Sequence, residues 1–98
     1  MKINTQSVHF DADKKLLSFI DEKVNKLSTY YENIVAADVI LRLEKSNDNS
    51  NKIAEIKLHV KGLDLFAKKQ CESFEEAIDS AVDAIKIQIK KYKEKVQA

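Results

Sequence analysis

The last quarter of the chain, Ser73 to Ala98, constrains the fold more than any other stretch. Apolar residues recur at Phe74, Ile78, Val82, Ile85, Ile89, Tyr92 and Val96. Steps of three and four residues are the signature of one stripe along an α-helix. Ser73 and Glu76 frame a capping box at its start, the Ser hydroxyl accepting from the Glu76 N–H and the Glu76 carboxylate reaching back. Charge is sorted along the same helix. Glu75, Glu76, Asp79 and Asp83 occupy its first half; Lys86, Lys90, Lys91, Lys93 and Lys95 crowd its end against one acid, Glu94. That polarity suits the helix dipole. Helical spacing puts Lys86, Lys90 and Lys93 on one flank of the stripe and Lys91 and Lys95 on the other. The plain reading is a solvated helix end tuned to its dipole. Yet the i,i+4 pairs Lys86–Lys90 and Lys91–Lys95 set like charges together at some cost in stability. A polyanionic partner explains why they are tolerated.

A long helix with one apolar stripe needs an apolar surface to cover it, and the rest of the chain supplies one. Residues 2–9 read as a strand with Ile3, Thr5 and Ser7 on one side. Asp11 is the expected N-cap of a first helix, with Asp13 adding negative charge to its first turn. That helix carries the stripe Leu16, Leu17, Ile20, Val24, Leu27 and Tyr31, with Lys15, Lys23, Lys26 and Phe19 to one side; Phe19 reads as a core-edge residue. From Val35 to Lys45 the period changes to two. Val35, Ala37, Val39, Leu41 and Leu43 point inward, and Asp38, Ile40, Arg42 and Glu44 point outward. Residues 46–51 form a polar loop. Ala54, Ile56, Leu58 and Val60 then face inward, against Ile53, Glu55, Lys57, His59 and Lys61 outward. Gly62, the one glycine in the chain, falls where a tight reversal is needed. Leu65 and Ala67 resume the inward set, with Phe66 and Lys68 outward. Lys69 breaks the parity, which places a fraying or an edge strand there.

The order is strand, helix, strand, strand, strand, helix. A helix between the first two strands allows a parallel pair, and short connections make the others antiparallel. The expected fold is α+β: a four-stranded mixed sheet with two helices packed on one face. Ninety-eight residues suffice for one domain, residues 1–98, with one core. Charged residues at 34% and apolar ones at 44% fit a soluble globular chain rather than a disordered one. A net charge of +1 provides no general attraction for nucleic acid, so any basic surface must come from local sorting.

Catalysis finds little support. His9 and His59 are the only histidines and show no ligand spacing, so neither a metal nor another cofactor is expected. Cys71, the lone cysteine, precludes an internal disulfide and fits a reducing cytosol. One glycine cannot build a phosphate loop. Asp38 and Glu44 read as solvated carboxylates. The longest aliphatic run, Ile34 to Ala37, is far too short to span a membrane. What remains is a binding surface of lysine and arginine. The strands lack the aromatic pattern of base-stacking sheets, and the outward Ile40, His59 and Phe66 read as an imperfectly polar open face.

Specific residues add a resemblance. Lys26-Leu27-Ser28-Thr29-Tyr30-Tyr31 resembles the end of the first helix in the ribosome hibernation promoting factors, a family that includes the ribosome-associated inhibitor of translation. Arg42-Leu43-Glu44-Lys45 resembles its second strand end, Leu58-His59-Val60 with Gly62 its third strand and turn, and Ala77-Ile78-Asp79 its second-helix signature. Gln88-Ile89 with Lys91, Lys93 and Lys95 resembles its closing run. The chain departs from the pattern at Glu75 and Glu76. The resemblance covers nearly the whole chain and implies the same fold. It further implies a cytoplasmic, non-enzymatic inhibitor of translation in stationary phase or stress. Its site is the small ribosomal subunit, in the mRNA and tRNA channel near the decoding site. The implied rRNA contacts are Lys23, Lys26, Arg42, Lys45, Lys86, Lys90, Lys91, Lys93 and Lys95, with ribosomal proteins as further partners and no small-molecule substrate. A monomer off the ribosome is expected, and the chain reads as a short form without the C-terminal domain that pairs ribosomes in longer members. Two other readings stand beside it: a general structured-RNA-binding module, and a small homo-oligomeric scaffold.

Overall fold

The computed structural model describes residues 1–44 and 49–97. Lys45, the Ser46–Asp48 part of the expected polar loop and the side chain of Val96 lie outside the described residues. The chain forms β1 (Lys2–Val8), α1 (Lys14–Asn25), a 3-10 turn (Lys26–Thr29), β2 (Ile34–Leu43), β3 (Lys52–Val60), β4 (Leu63–Cys71) and α2 (Phe74–Gln97). The strands lie in the order β1-β2-β3-β4. β1 runs parallel to β2, and the other two pairs are antiparallel. This is the α+β arrangement expected from the order of elements.

Both helices lie on one face of the sheet, and the core fills the space between. Ile20, Val24 and Leu27 enter it from the first helical segment and Ile78, Ile85 and Ile89 from α2; Ala37, Val39, Leu41, Ile56 and Leu58 rise from the sheet. All are essentially inaccessible to water. Ala77 and Ala81 are fully buried too, so α2 approaches the sheet closely at its small residues. Phe10 stacks on Phe74 at 4.5 Å and ties the β1–α1 connection to the start of α2.

Local chemistry corrects several expectations. The N-cap of α1 is Asp13 rather than Asp11: its carboxylate accepts from the Leu16 N–H at 2.8 Å. Phe10 and Ala12 pack against the core, which keeps the chain extended past Asp11. The first helix does not run to residue 31. The Ser28 and Thr29 hydroxyls donate to the carbonyls of Asn25 and Lys26, each at 2.7 Å. Such local bonds compete with the helical ladder and favour the tighter turn seen there. Leu17, placed on the apolar stripe by spacing, is exposed.

In β2, a bulge between Ile34 and Ala36 reverses the parity at its start. Ile34 is buried and Val35, expected inward, is 64% exposed. Ile53 alternates outward as expected yet is 2% exposed, on the face away from the helices. β4 continues past Lys69 to Cys71 as an edge strand, so the break in parity marks an edge and not a frayed end. An inward charge on an edge strand discourages pairing with another chain. Gln88 of α2 closes part of the same edge. Its amide donates to the Phe66 carbonyl at 2.7 Å and accepts from the Phe66 N–H at 3.3 Å, as a neighbouring strand would. Gly62 adopts φ of +84°, the left-handed conformation that the β3–β4 reversal requires.

Candidate nucleic-acid interface

The sorted charges of α2 become a three-dimensional feature because Leu27 and Tyr31 anchor the segment facing it. Leu27 is fully buried. Its carbonyl accepts from the Tyr30 N–H at 3.0 Å, which fixes the backbone just after the 3-10 turn. Tyr31 meets Tyr92 edge to face at 5.7 Å. Tyr30, between these anchors, is left 45% exposed. The Lys86 ammonium sits 5.1 Å from the centre of its ring, a cation–π contact. Tyr30, Ile87, Ile89, Lys86, Lys90 and Lys93 together line a groove of about 320 Å³. Thus the three lysines assigned to one flank from spacing do share one surface.

The other expected contacts are dispersed. Lys23 bridges to Asp79 of α2 at 3.3 Å and lies over Phe19 at 5.5 Å, so it helps join the helices. Lys26 is exposed on the 3-10 turn. Lys91 and Lys95 are exposed on α2, outside the groove lining. Arg42 is on the opposite face of the sheet, 3.7 Å from Glu55; the structure does not bring it together with the α2 lysines. Lys86 has an acid within 3.9 Å, Asp83. Among the described residues, Lys90, Lys91, Lys93 and Lys95 have no ion-pair partner, which leaves their charges available to an external anion.

The open face of the sheet holds a different constellation. His59 on β3 lies between two carboxylates: Nε2 is 2.8 Å from Asp38 on β2, and Nδ1 is 3.0 Å from Asp64 on β4. Asn4 on β1 donates to the other Asp38 oxygen at 3.3 Å, and Lys57 approaches Asp64 at 3.8 Å. Asp38 is therefore engaged in a cross-strand network, where the sequence suggested a merely solvated group. Its hydrogen bond to His59, then that to Asn4, holds its pKa below the usual carboxylate value. The bond to Asp38, followed by that to Asp64, raises the His59 pKa. An imidazole that donates from both nitrogens has no lone pair left to act as a base. The nearby recess, about 490 Å³ and lined by Asn4, Asp38, Glu55 and Lys57 among others, mixes both charges and offers a polyanion no uniform field.

These shifts set a pH dependence. A raised His59 pKa contributes stability that is complete below the unfolded value, about 6.5, and is lost as pH rises through the folded value. A lowered Asp38 pKa contributes above about pH 4 and is lost as pH falls through its folded value. The network is strongest between those limits. His59→Gln is therefore expected to lower the melting temperature more at pH 6 than at pH 8.5. Equal losses at both pH values would contradict the charged bridge.

Among the described residues no group of three or more His, Cys, Asp or Glu gathers in a way that could hold a metal ion. No helix among them is long and apolar enough to cross a membrane. Sequence reasoning did not place Tyr30 or Ile87 in the interface. The signal for Ile87 was present: it is a large aliphatic residue out of phase with the stripe at Ile85 and Ile89, and it is 57% exposed.

Comparison with known proteins bears on this arrangement. The chain is 30% identical over 95 residues to a ribosome hibernation promoting factor of Azotobacter vinelandii, covering 97% of this chain and 85% of that protein. Its fold matches that of a ribosomal subunit interface protein from Coxiella burnetii with a TM-score of 0.83, at 17% identity over 95% of this chain and 98% of that one. The N-terminal domain of Thermus thermophilus Protein Y superposes with a TM-score of 0.82, at 22% identity over 94% of this chain and 99% of that one. The model of one family, described as sigma 54 modulation protein / S30EA ribosomal protein, matches residues 3–97. By that match, which takes in every strand and both helices, the chain belongs to the sigma 54 modulation protein / S30EA ribosomal protein family.

Proposed function

We propose that this chain is a ribosome hibernation factor, as the names of its relatives suggest, and that it acts without catalysis in the cytoplasm. Residues 1–98 serve as one ribosome-binding domain. It occupies the mRNA and tRNA channel of the small subunit near the decoding site and keeps translation substrates out when growth stops. Its partner there is rRNA, with ribosomal proteins as further contacts. The observation that carries this reading is the lysine-rimmed groove at the end of α2. Lys86, Lys90 and Lys93 meet phosphates, with Lys91 and Lys95 alongside on the same helix. Lys23, Lys26 and Arg42 add contacts from other parts of the surface, and Lys45 is a further contact inferred from the sequence alone. Such contacts position a protein on nucleic acid through charge and hydrogen bonds.

The local nature of the patch suits the low net charge. A chain at +1 is not drawn to every polyanion, so its binding depends on matching one arrangement of phosphates. Co-sedimentation tests this. The protein is expected to travel with small ribosomal subunits and to stay there in an excess of naked duplex RNA. Release by duplex RNA at equal phosphate concentration would show a general RNA binder instead.

A further inference from the structure

The groove has an apolar part that phosphate binding does not use. Tyr30 and Ile87 are 45% and 57% exposed, and both line it. No hydrogen-bond partner meets the Tyr30 hydroxyl among the described residues. The backbone that carries Tyr30 is nevertheless fixed, by its own bond to Leu27 and by the Tyr31–Tyr92 contact beside it. The ring is thus held ready at the surface, where a flat partner can reach it without first ordering a loop. The Lys86 ammonium over this ring marks a π-surface that attracts cations. Among the described residues, three lysines and no acid line the groove.

Resting on the reading of this chain as an rRNA binder, we propose that the groove takes one unstacked nucleotide of the rRNA. The base lies against Tyr30 beside Ile87, and the flanking phosphates lie on Lys86, Lys90 and Lys93. An aromatic ring next to cations matches the two chemistries of an exposed nucleotide, a flat π-face and a charged backbone. Lys86 then exchanges its place over the ring for a phosphate, so base and cation take turns at one surface. A volume of about 320 Å³ lies at the small end of the range for ligand sites, in keeping with one nucleotide rather than a duplex. An acidic peptide would satisfy the lysines but would bring no flat group to the tyrosine.

The test measures affinity of the whole chain for vacant small subunits over a range of salt. Tyr30→Leu keeps an apolar side chain and removes the ring. It is expected to weaken binding by about five- to a hundredfold, the range for one lost base stack, with an unchanged salt slope. Tyr30→Phe is expected to bind as the wild type does, because the ring and not the hydroxyl carries the contact. Lys90→Gln is expected to make the slope shallower. All variants should melt with the wild type, since these side chains are exposed. Unchanged affinity in Tyr30→Leu, while Lys90→Gln still lowers the slope, would overturn the stacking site and leave the rRNA reading standing. No change in either variant would take the groove out of the rRNA interface and overturn the proposal. Equal losses in Tyr30→Leu and Tyr30→Phe would assign the effect to the hydroxyl and overturn the proposal. So would competition by polyglutamate as strong as that by single-stranded RNA of equal charge.

Discussion

Replacing Lys86, Lys90 and Lys93 together by glutamine is expected to lower affinity for the small subunit by roughly tenfold or more, while leaving the fold intact. The apolar stripe of α2 is committed to the core through Ile78, Val82, Ile85 and Ile89. These lysines lie beside that stripe, at the rim of the groove. Glutamine preserves helix propensity and much of the side-chain length, so charge is the main thing removed. Phosphate binding by lysine releases condensed counterions, and the dependence of affinity on salt counts the contacts. Three lost contacts should make the logarithmic slope shallower by roughly two to three units. Lys14→Gln, at the exposed start of α1, is the matched control and is expected to change neither affinity nor slope. The loss of the like-charge pair Lys86–Lys90 should leave the melting temperature equal or slightly raised. A weakened but equally salt-sensitive variant would mean that the lysines act through structure rather than through phosphate.

Leu58→Ala is expected to be the most damaging single change in the sheet. Leu58 is fully buried on β3, a strand inside the sheet, paired with Ala37 on one side and Leu65 on the other. Truncation removes its burial and leaves a cavity that the flanking strands can only partly close, at about 2–5 kcal/mol. For a domain of this size the melting temperature should fall by on the order of 10 °C or more. Val35→Ala provides the contrast. Alternation alone places Val35 in the core, but the bulge at the start of β2 leaves it 64% exposed. Its truncation should cost no more than about 0.5 kcal/mol. Thermal denaturation of the two variants checks both the inner face of β3 and the bulge. Comparable losses would show that Val35 is buried and the register wrong.

The contrast between Leu58 and Val35 shows where the sequence could be read and where it could not. Period-two alternation reports the face of a strand as long as pairing stays regular, and it placed Ala37, Val39, Leu41, Ile56 and Leu58 correctly. A bulge inverts the parity with no change in composition, so Ile34 and Val35 exchanged roles unseen. The helical stripe of α2 was legible because its caps, charges and apolar steps agree. The end of α1 was not, because it depends on whether the Ser28 and Thr29 hydroxyls turn back to their own backbone, a local competition that apolar spacing does not register.

The candidate site was legible in one dimension only. Helical spacing put Lys86, Lys90 and Lys93 on one flank, and they line one groove. That Tyr30 faces them is a tertiary fact, created by the 3-10 turn and the Tyr31–Tyr92 contact, with more than fifty residues between the two sides of the groove. The acid partners of Lys23 and Arg42 come likewise from the packing of α1 on α2 and of β2 on β3. The His59 network draws residues from all four strands, so no local motif announces it.

If the chain binds as proposed, it and the substrates of translation compete for one channel. The most direct test compares binding to small subunits that are vacant with binding to the same subunits filled with mRNA and tRNA, at fixed salt. Tight binding to vacant subunits is expected, with displacement of the protein as tRNA is titrated in and mutual exclusion at saturation. Equal binding to vacant and tRNA-filled subunits would contradict the proposal.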